Sequence, residues 1–229
     1  MLELRDVCAW YGSAQSLFGV SLHVAAGELV VLQGLNGAGK STLLQAIMGL
    51  GPRVEGSMHY QFESILALQP HVRALRGLGY VPEDRRLFTA LTVEQNLLIG
   101  ARNPVPAAAV ASPDGEFEGW SQVPVVERRR RVLHLFPALS TMLGRSAAHM
   151  SGGEQQMLSI ARTLMTGPSL LLLDEPCEGI SPVLAESIRD ALLRLKQQGM
   201  AMLVAEQNGI LAERADRVIT LTAQTALVA

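Results

Sequence analysis

Gly34-Leu35-Asn36-Gly37-Ala38-Gly39-Lys40-Ser41-Thr42 constrains this chain more than any other stretch. It fits the pattern G-x-x-x-x-G-K-[ST], with an apolar, strand-like run (Leu29 to Leu32) before it and a helical pattern after it. A loop can wrap its backbone N–H groups around phosphates only where side chains leave room. Gly34, Gly37, Ala38 and Gly39 leave that room, with Leu35 and Asn36 completing the turn. Lys40 is then placed to reach the β- and γ-phosphates and Ser41 to hold Mg²⁺. The helix from Thr42 directs its positive end at the anion. A plain glycine turn between a strand and a helix would not need the Lys-Ser pair, so these residues predict a bound nucleoside triphosphate.

The rest of the composition sets limits. At 229 residues the chain suits one large domain, or a core with an inserted subdomain. With 48% apolar and 17% charged residues it can build a sizeable core. A net charge of −2 argues against a general nucleic-acid binder. Lys40 and Lys196 are the only lysines, and one of them sits where a phosphate needs a compact point charge. No apolar run approaches the roughly 18 to 20 residues that span a bilayer. Residues 1 to 6, charged at alternate places, lack the apolar centre of a signal peptide. Cys8 and Cys177 are expected to be reduced thiols in a cytosolic protein.

Along the chain, Leu2, Leu4 and Val7 lead as a short strand into Trp10-Tyr11 and a turn at Gly12-Ser13. Val20 to Val24 and Leu29 to Leu32 are further strands. The helix after the loop lines up Leu43, Leu44, Ile47, Met48 and Leu50 and is expected to stop at Gly51-Pro52. Gly56 to Phe62 and Leu78 to Val81 are predicted strands, and Pro70 to Leu75 a short helix. Thr92-Val93-Glu94-Gln95 has capping-box spacing for a helix to about Gly100. Residues 103 to 124 are expected to form a surface loop or weak helix. An amphipathic helix begins at Glu127, its arginines 128 to 131 forming a solvated face. Helices over Gly152 to Met165 and Pro182 to Gln198 then alternate with strands at Leu170 to Leu173, Met202 to Ala205 and Val218 to Leu221. Strands alternating with helices imply a mainly parallel sheet covered on both faces. The helix-rich stretch interrupts that rhythm as an inserted subdomain.

Two further motifs carry chemistry. Leu170-Leu171-Leu172-Leu173-Asp174-Glu175-Pro176 is a buried strand ending in two acids, which places carboxylates at the carboxyl edge of the sheet beside the phosphate loop. Asp174 would hold Mg²⁺ and Glu175 would polarise a water attacking the γ-phosphate. Met150-Ser151-Gly152-Gly153-Glu154-Gln155-Gln156 is a helix start: Ser151 caps, Glu154 returns to the cap, and two glycines leave the first turn bare. As an ordinary cap it would be a poor choice, because glycine weakens a helix. Bare N–H groups suit a phosphate.

Phosphate loop, Ser-Gly-Gly-Glu-Gln and Leu-Leu-Asp-Glu-Pro, in this order, resemble the ATP-binding subunits of ABC transporters over essentially the whole chain. The resemblance implies an α/β fold: a P-loop NTPase core of ABC type, with a mainly parallel sheet, an N-terminal antiparallel β portion and an inserted helical subdomain. Residues 1–84 and 166–229 would form the core and about 85–165 the subdomain. It implies ATP and Mg²⁺ as cofactors, and Tyr11 rather than Trp10 as the aromatic on which adenine stacks. In that family two ATPase subunits join head to tail, so Ser151, Gly152, Gly153 and Glu154 of one would face the γ-phosphate held by the other.

Finer matches resemble the smaller ATPase of branched-chain (hydrophobic) amino-acid importers, with urea or short-amide importers similar: residues 80 to 88, 91 to 97, 178 to 180 and 204 to 208. This implies ATP hydrolysis that powers uptake through separate membrane permease subunits. It also implies a sister or identical second ATPase, an indirect link to a solute-binding protein, no nucleic acid, and a cytoplasmic position on the inner face of the cell membrane. Glu83 replaces the glutamine of most of the wider family and would sit near Mg²⁺ or its water. Gln207 replaces a switch histidine beside the γ-phosphate; it donates a hydrogen bond but carries no proton. Ser181 aligns with an aspartate. A soluble ABC-type ATPase acting on DNA or ribosomes, and a regulatory subunit of low activity, are the readings from other classes. The family's acidic-glycine turn after the last strand is absent, so residues 222 to 229 are expected to pack differently or fray.

Overall fold

The computed structural model describes residues 1–101, 120, 123–207, 209–222 and 226–228. The loop expected over 103 to 124 therefore lies outside the described residues, except for Trp120, which is buried, and residues 123 and 124.

Two sheets organise the chain. The first is antiparallel, in the order β2-β1-β4-β5, from β1 (Leu2–Tyr11), β2 (Ala14–Val24), β4 (Arg53–Tyr60) and β5 (Glu63–Ser64). The second has the order β10-β9-β3-β8-β7-β6. It comprises β3 (Leu29–Gln33), β6 (Leu78–Val81), β7 (Leu170–Asp174), β8 (Ala201–Glu206), β9 (Arg217–Leu221) and β10 (Ala226–Val228). All its pairings are parallel except β10 with β9. The central strands are apolar throughout because both faces are covered. Val30, Leu32, Leu172 and Leu203 point into a core shared with the antiparallel sheet and α1 (Lys40–Met48). Leu29, Val31, Leu171 and Val204 point the other way. Their core is shared with α3 (Val93–Gly100), α4 (Val125–Leu135), α5 (Pro137–Ser140), α6 (Gly152–Met165) and α7 (Pro182–Gln197). A short α2 (Pro70–Leu75) precedes β6.

Several expectations are corrected. The first strands are not short: β1 and β2 run ten and eleven residues. Bulges keep them long while bending them. Asp6 has φ 49° and Gly56 φ 106°, and a Cβ on Gly56 would lie 2.5 Å from the Asp6 carbonyl oxygen. β4 begins at Arg53 rather than Gly56 and ends at Tyr60, leaving Phe62 fully exposed at the hairpin tip. Helix α1 starts at Lys40 and stops at Met48, because Gly49 adopts φ 74° and closes it before Gly51-Pro52. The arginine run is not a uniformly solvated face. Arg130 and Arg131 pair with Glu127 and Arg129 with Glu94, but Arg128 is buried. It donates to the carbonyls of Val123 at 2.8 Å and Met165 at 2.7 Å, the latter at the end of α6. Beyond residue 222 the backbone of β10 pairs with β9.

Candidate nucleotide site

Strands β3 and β7 end side by side across β8, so the loop after β3 and the acids after β7 meet at one edge of the sheet. The phosphate loop needs its glycines. Gly37 and Gly39 hold φ of 82° and 97°. A Cβ on Gly34 would lie 2.5 Å from the Leu221 carbonyl oxygen. Together with Ser16, Glu83, Glu175 and Glu178, the loop from Leu35 to Thr42 lines a cleft of ≈ 360 Å³.

Inside that cleft the polar side chains are already bonded to one another. Lys40, only 6% exposed, donates to the Gly34 carbonyl at 2.8 Å and lies 3.2 Å from Glu175 Oε1. Glu175 Oε2 accepts from the backbone N–H of Gln207 at 3.0 Å, and Glu175 itself sits at φ 46°. That is a strained conformation for a residue other than glycine, and one that surrounding contacts must hold. Its N–H is tied to the Ala205 carbonyl at 2.9 Å. The Ser41 hydroxyl donates to Asp174 Oδ1 at 2.9 Å, and Tyr80 donates to Oδ2 at 3.3 Å. Burial pushes the Asp174 carboxyl above its ordinary range; the Ser41 and Tyr80 hydrogen bonds oppose this, and the charges of Glu83 and Glu175 add to it.

Other predicted residues lie apart. Tyr11 ends β1, half exposed, its hydroxyl donating to Gln45 Oε1 at 3.0 Å, and it does not line the cleft. Ser151 to Glu154 also stay outside it. They form a complete capping box, with Ser151 N–H donating to Glu154 Oε2 at 2.7 Å and Glu154 N–H to Ser151 Oγ at 3.3 Å. A Cβ on Gly153 would meet Leu184 Cδ1 at 2.3 Å, so Leu184 would have to turn aside to admit one.

The chain has known relatives. The ABC transporter family model matches residues 17–178. The chain belongs to the ABC transporter family. It is 39% identical to the high-affinity branched-chain amino acid transport ATP-binding protein BraG of Pseudomonas aeruginosa, covering 96% of this chain and 88% of that one. With the probable branched-chain amino acid transport ATP-binding protein LivF of Archaeoglobus fulgidus it shares 35% identity over 91% of this chain and 82% of that one. A crystal structure of a nucleotide-free ATP-binding cassette from an ABC transporter superposes with a TM-score of 0.80 at 29% identity, covering 99% of this chain and 89% of that one. As an ABC ATPase the chain has the α/β cassette fold that the motifs imply.

Sequence reasoning missed several parts of this ATPase. Glu206 is buried, and burial raises its carboxyl; it accepts from the N–H groups of Leu211 and Ala212 and so pins the loop that follows Gln207. Arg85 joins the Glu83 segment to α6 through Gln155 and Gln156, while Ser159 Oγ and Arg162 donate to the Arg85 carbonyl. Its φ of 60°, followed by 45° at Arg86, gave no local signal. Glu178, within the matched residues 178 to 180, lines the cleft without a local sign of it in the sequence.

Proposed function

We propose that this chain hydrolyses ATP to power uptake of branched-chain amino acids through separate membrane permease subunits. The observation that carries the reading is the convergence of Lys40, Ser41, Asp174 and Glu175 in one cleft. Lys40 moves from Glu175 and the Gly34 carbonyl to the phosphates, which frees Glu175 Oε1 to accept a proton from the attacking water. Oε2 stays anchored on the Gln207 backbone. That anchor uses no side-chain atom of residue 207, so a glutamine in place of histidine leaves it intact. This favours an active subunit over a regulatory one.

Ser41 and Asp174 are the Mg²⁺ ligands in this reading. Two hard oxygens lie within 2.9 Å, and a buried carboxyl pushed upward by desolvation gains most from a cation. Mg²⁺ characteristically keeps water and phosphate oxygens as its other ligands. Bound Mg²⁺ would supply neutralisation of the phosphate charge.

The signature turn Ser151 to Glu154 serves the nucleotide of a second ATPase subunit, with residues about 85–165 as the subdomain that carries it. Tyr11 offers its half-exposed ring to adenine. Among the described residues no helix is long and apolar enough to cross a membrane. In this reading separate permease subunits supply the path, and the ATPase docks on their cytoplasmic side. Branched-chain amino acids follow from the likeness to BraG and LivF. Reconstitution with the membrane subunits tests this: MgATP should drive uptake of labelled leucine, whereas uptake of urea alone would reassign the solute.

A further inference from the structure

Glu206 is the last residue of β8 and only 2% exposed, a carboxylate at the end of an otherwise apolar strand. Alternation along the strand puts it on the face of Met202 and Val204, towards the core shared with α6 and α7. Its oxygens accept from the N–H of Leu211 at 3.0 Å and 3.3 Å and from that of Ala212 at 3.2 Å. Among the described residues no cation pairs with it. Burial raises its carboxyl and the charge of Glu175 adds to this, while the two N–H groups oppose it. A buried carboxylate without a cation destabilises the fold, whereas an apolar side chain would simply finish the strand.

The residues on either side of Glu206 hold Glu175. The Glu175 N–H donates to the Ala205 carbonyl at 2.9 Å, and the Gln207 N–H donates to Glu175 Oε2 at 3.0 Å. Glu175 keeps a left-handed φ of 46°, which such contacts must maintain. Ala205 is fixed by its place in the sheet, opposite Asp174. Gln207 lies past the last paired residues of β8, so the sheet does not set the direction of its N–H. The tie from the Glu206 carboxylate to Leu211 and Ala212 closes the turn that carries Gln207. We propose that Glu206 is a positioning residue for hydrolysis: by closing this turn it aims the Gln207 N–H at Glu175, and so holds the Glu175 carboxylate with Oε1 towards the attacking water. The inference rests on the reading of Glu175 as the proton acceptor given above.

Two substitutions separate reach from charge. Glu206→Asp keeps the charge and withdraws the acceptor by one methylene. Glu206→Gln removes the charge, and its amide oxygen can stand where Oε1 accepts from both N–H groups. Phosphate release is measured for the full chain in its assembled pair. In Glu206→Asp, kcat should fall about tenfold or more, with KM for ATP within about twofold of native. Glu206→Gln should lose less than about threefold. In a Glu175→Gln background, Glu206→Asp should change turnover by less than about twofold, because the group it aims is gone. Native kcat in Glu206→Asp overturns the proposal. So does an equal loss in Glu206→Gln, which would give the effect to charge, or a loss undiminished in the Glu175→Gln background. Amide exchange in the native chain checks the linkage without any substitution. The N–H groups of Gln207, Leu211 and Ala212 should open together, with protection within about threefold of one another; Gln207 exchanging freely while the other two stay protected overturns the proposal. Native turnover in Glu175→Gln alone would instead overturn the reading of Glu175 on which the inference rests.

Discussion

The cleft and the turn from Ser151 to Glu154 are both glycine-rich starts of helices, yet they differ in what their polar groups already hold. In the cleft, Lys40, Ser41, Asp174 and Glu175 satisfy one another through direct contacts within one chain. At the signature turn, Ser151 and Glu154 bond each other and Glu154 lies 3.7 Å from Arg145. The N–H groups of Gly152 and Gly153 are first-turn donors, which have no acceptor inside their helix. In the proposed function the first region is a site in itself, and the second is half of one that another chain completes.

Breaking the first region gives the largest effect. Glu175→Gln removes the carboxylate proposed to accept the proton while keeping its volume, and should lower steady-state hydrolysis at least about a hundredfold with ATP affinity retained. Substantial remaining turnover in a phosphate-release assay would remove Glu175 from its role.

The two glycines of the second region separate packing from phosphate binding. Gly153→Ala drives a methyl group into Leu184 and should cost about 1 kcal/mol or more in urea unfolding, even after the gain in helix propensity. Gly152→Ala meets only the Arg85 guanidinium, at 3.4 Å, and should stabilise α6 by about 0.5–1 kcal/mol. Equal midpoints for the two variants would contradict this packing. A stabilising alanine that the chain does not use at position 152 fits a turn kept bare for a ligand.

Charge in the cleft is held at a cost to stability. Burial raises the folded pKa of Asp174 above its unfolded value, so its ionised form opposes folding at neutral pH. The folded state gains from this group below the ordinary aspartate pKa of about 3.9 and loses that gain as pH rises through the folded value. In metal-free buffer near pH 7.5, Asp174→Asn should therefore stabilise the protein by about 1 kcal/mol, an advantage that shrinks towards pH 4. A melting series across pH checks both sign and trend.

The hairpin tip between β4 and β5 is a control remote from both regions. Gln61 and Phe62 hold φ of 50° and 67°, which suits glycine or asparagine better. Replacing them with Asn-Gly should stabilise by about 0.5–1 kcal/mol with hydrolysis unchanged.

What the sequence made legible was chemistry set by neighbours in the chain. The glycine pattern of the phosphate loop, the apolar run into Asp174-Glu175, and the capping boxes at Thr92 and Ser151 each declare themselves within a few residues. What it concealed was decided by remote partners. Arg128 and Arg73 are ordinary surface residues by type. Each is buried because helix-end carbonyls lie within reach: Met165 for Arg128, and Ala46 and Ile47 for Arg73. The length of β1 and β2 depends on a bulge that pairs Asp6 with the space above Gly56, fifty residues away. Glu178 lines the cleft, and Arg85 ties the Glu83 segment to α6, only because the fold brings their loops back together.

The claim that one chain's cleft is completed by another chain's signature turn is tested most directly by Ser151→Ala, measured for ATP affinity twice: in the isolated subunit and in the assembled pair of ATPases. The account predicts affinity within about twofold of native for the isolated subunit, and a loss of about tenfold or more in the assembly. An equal change in both would place the role of Ser151 inside its own chain and contradict the account.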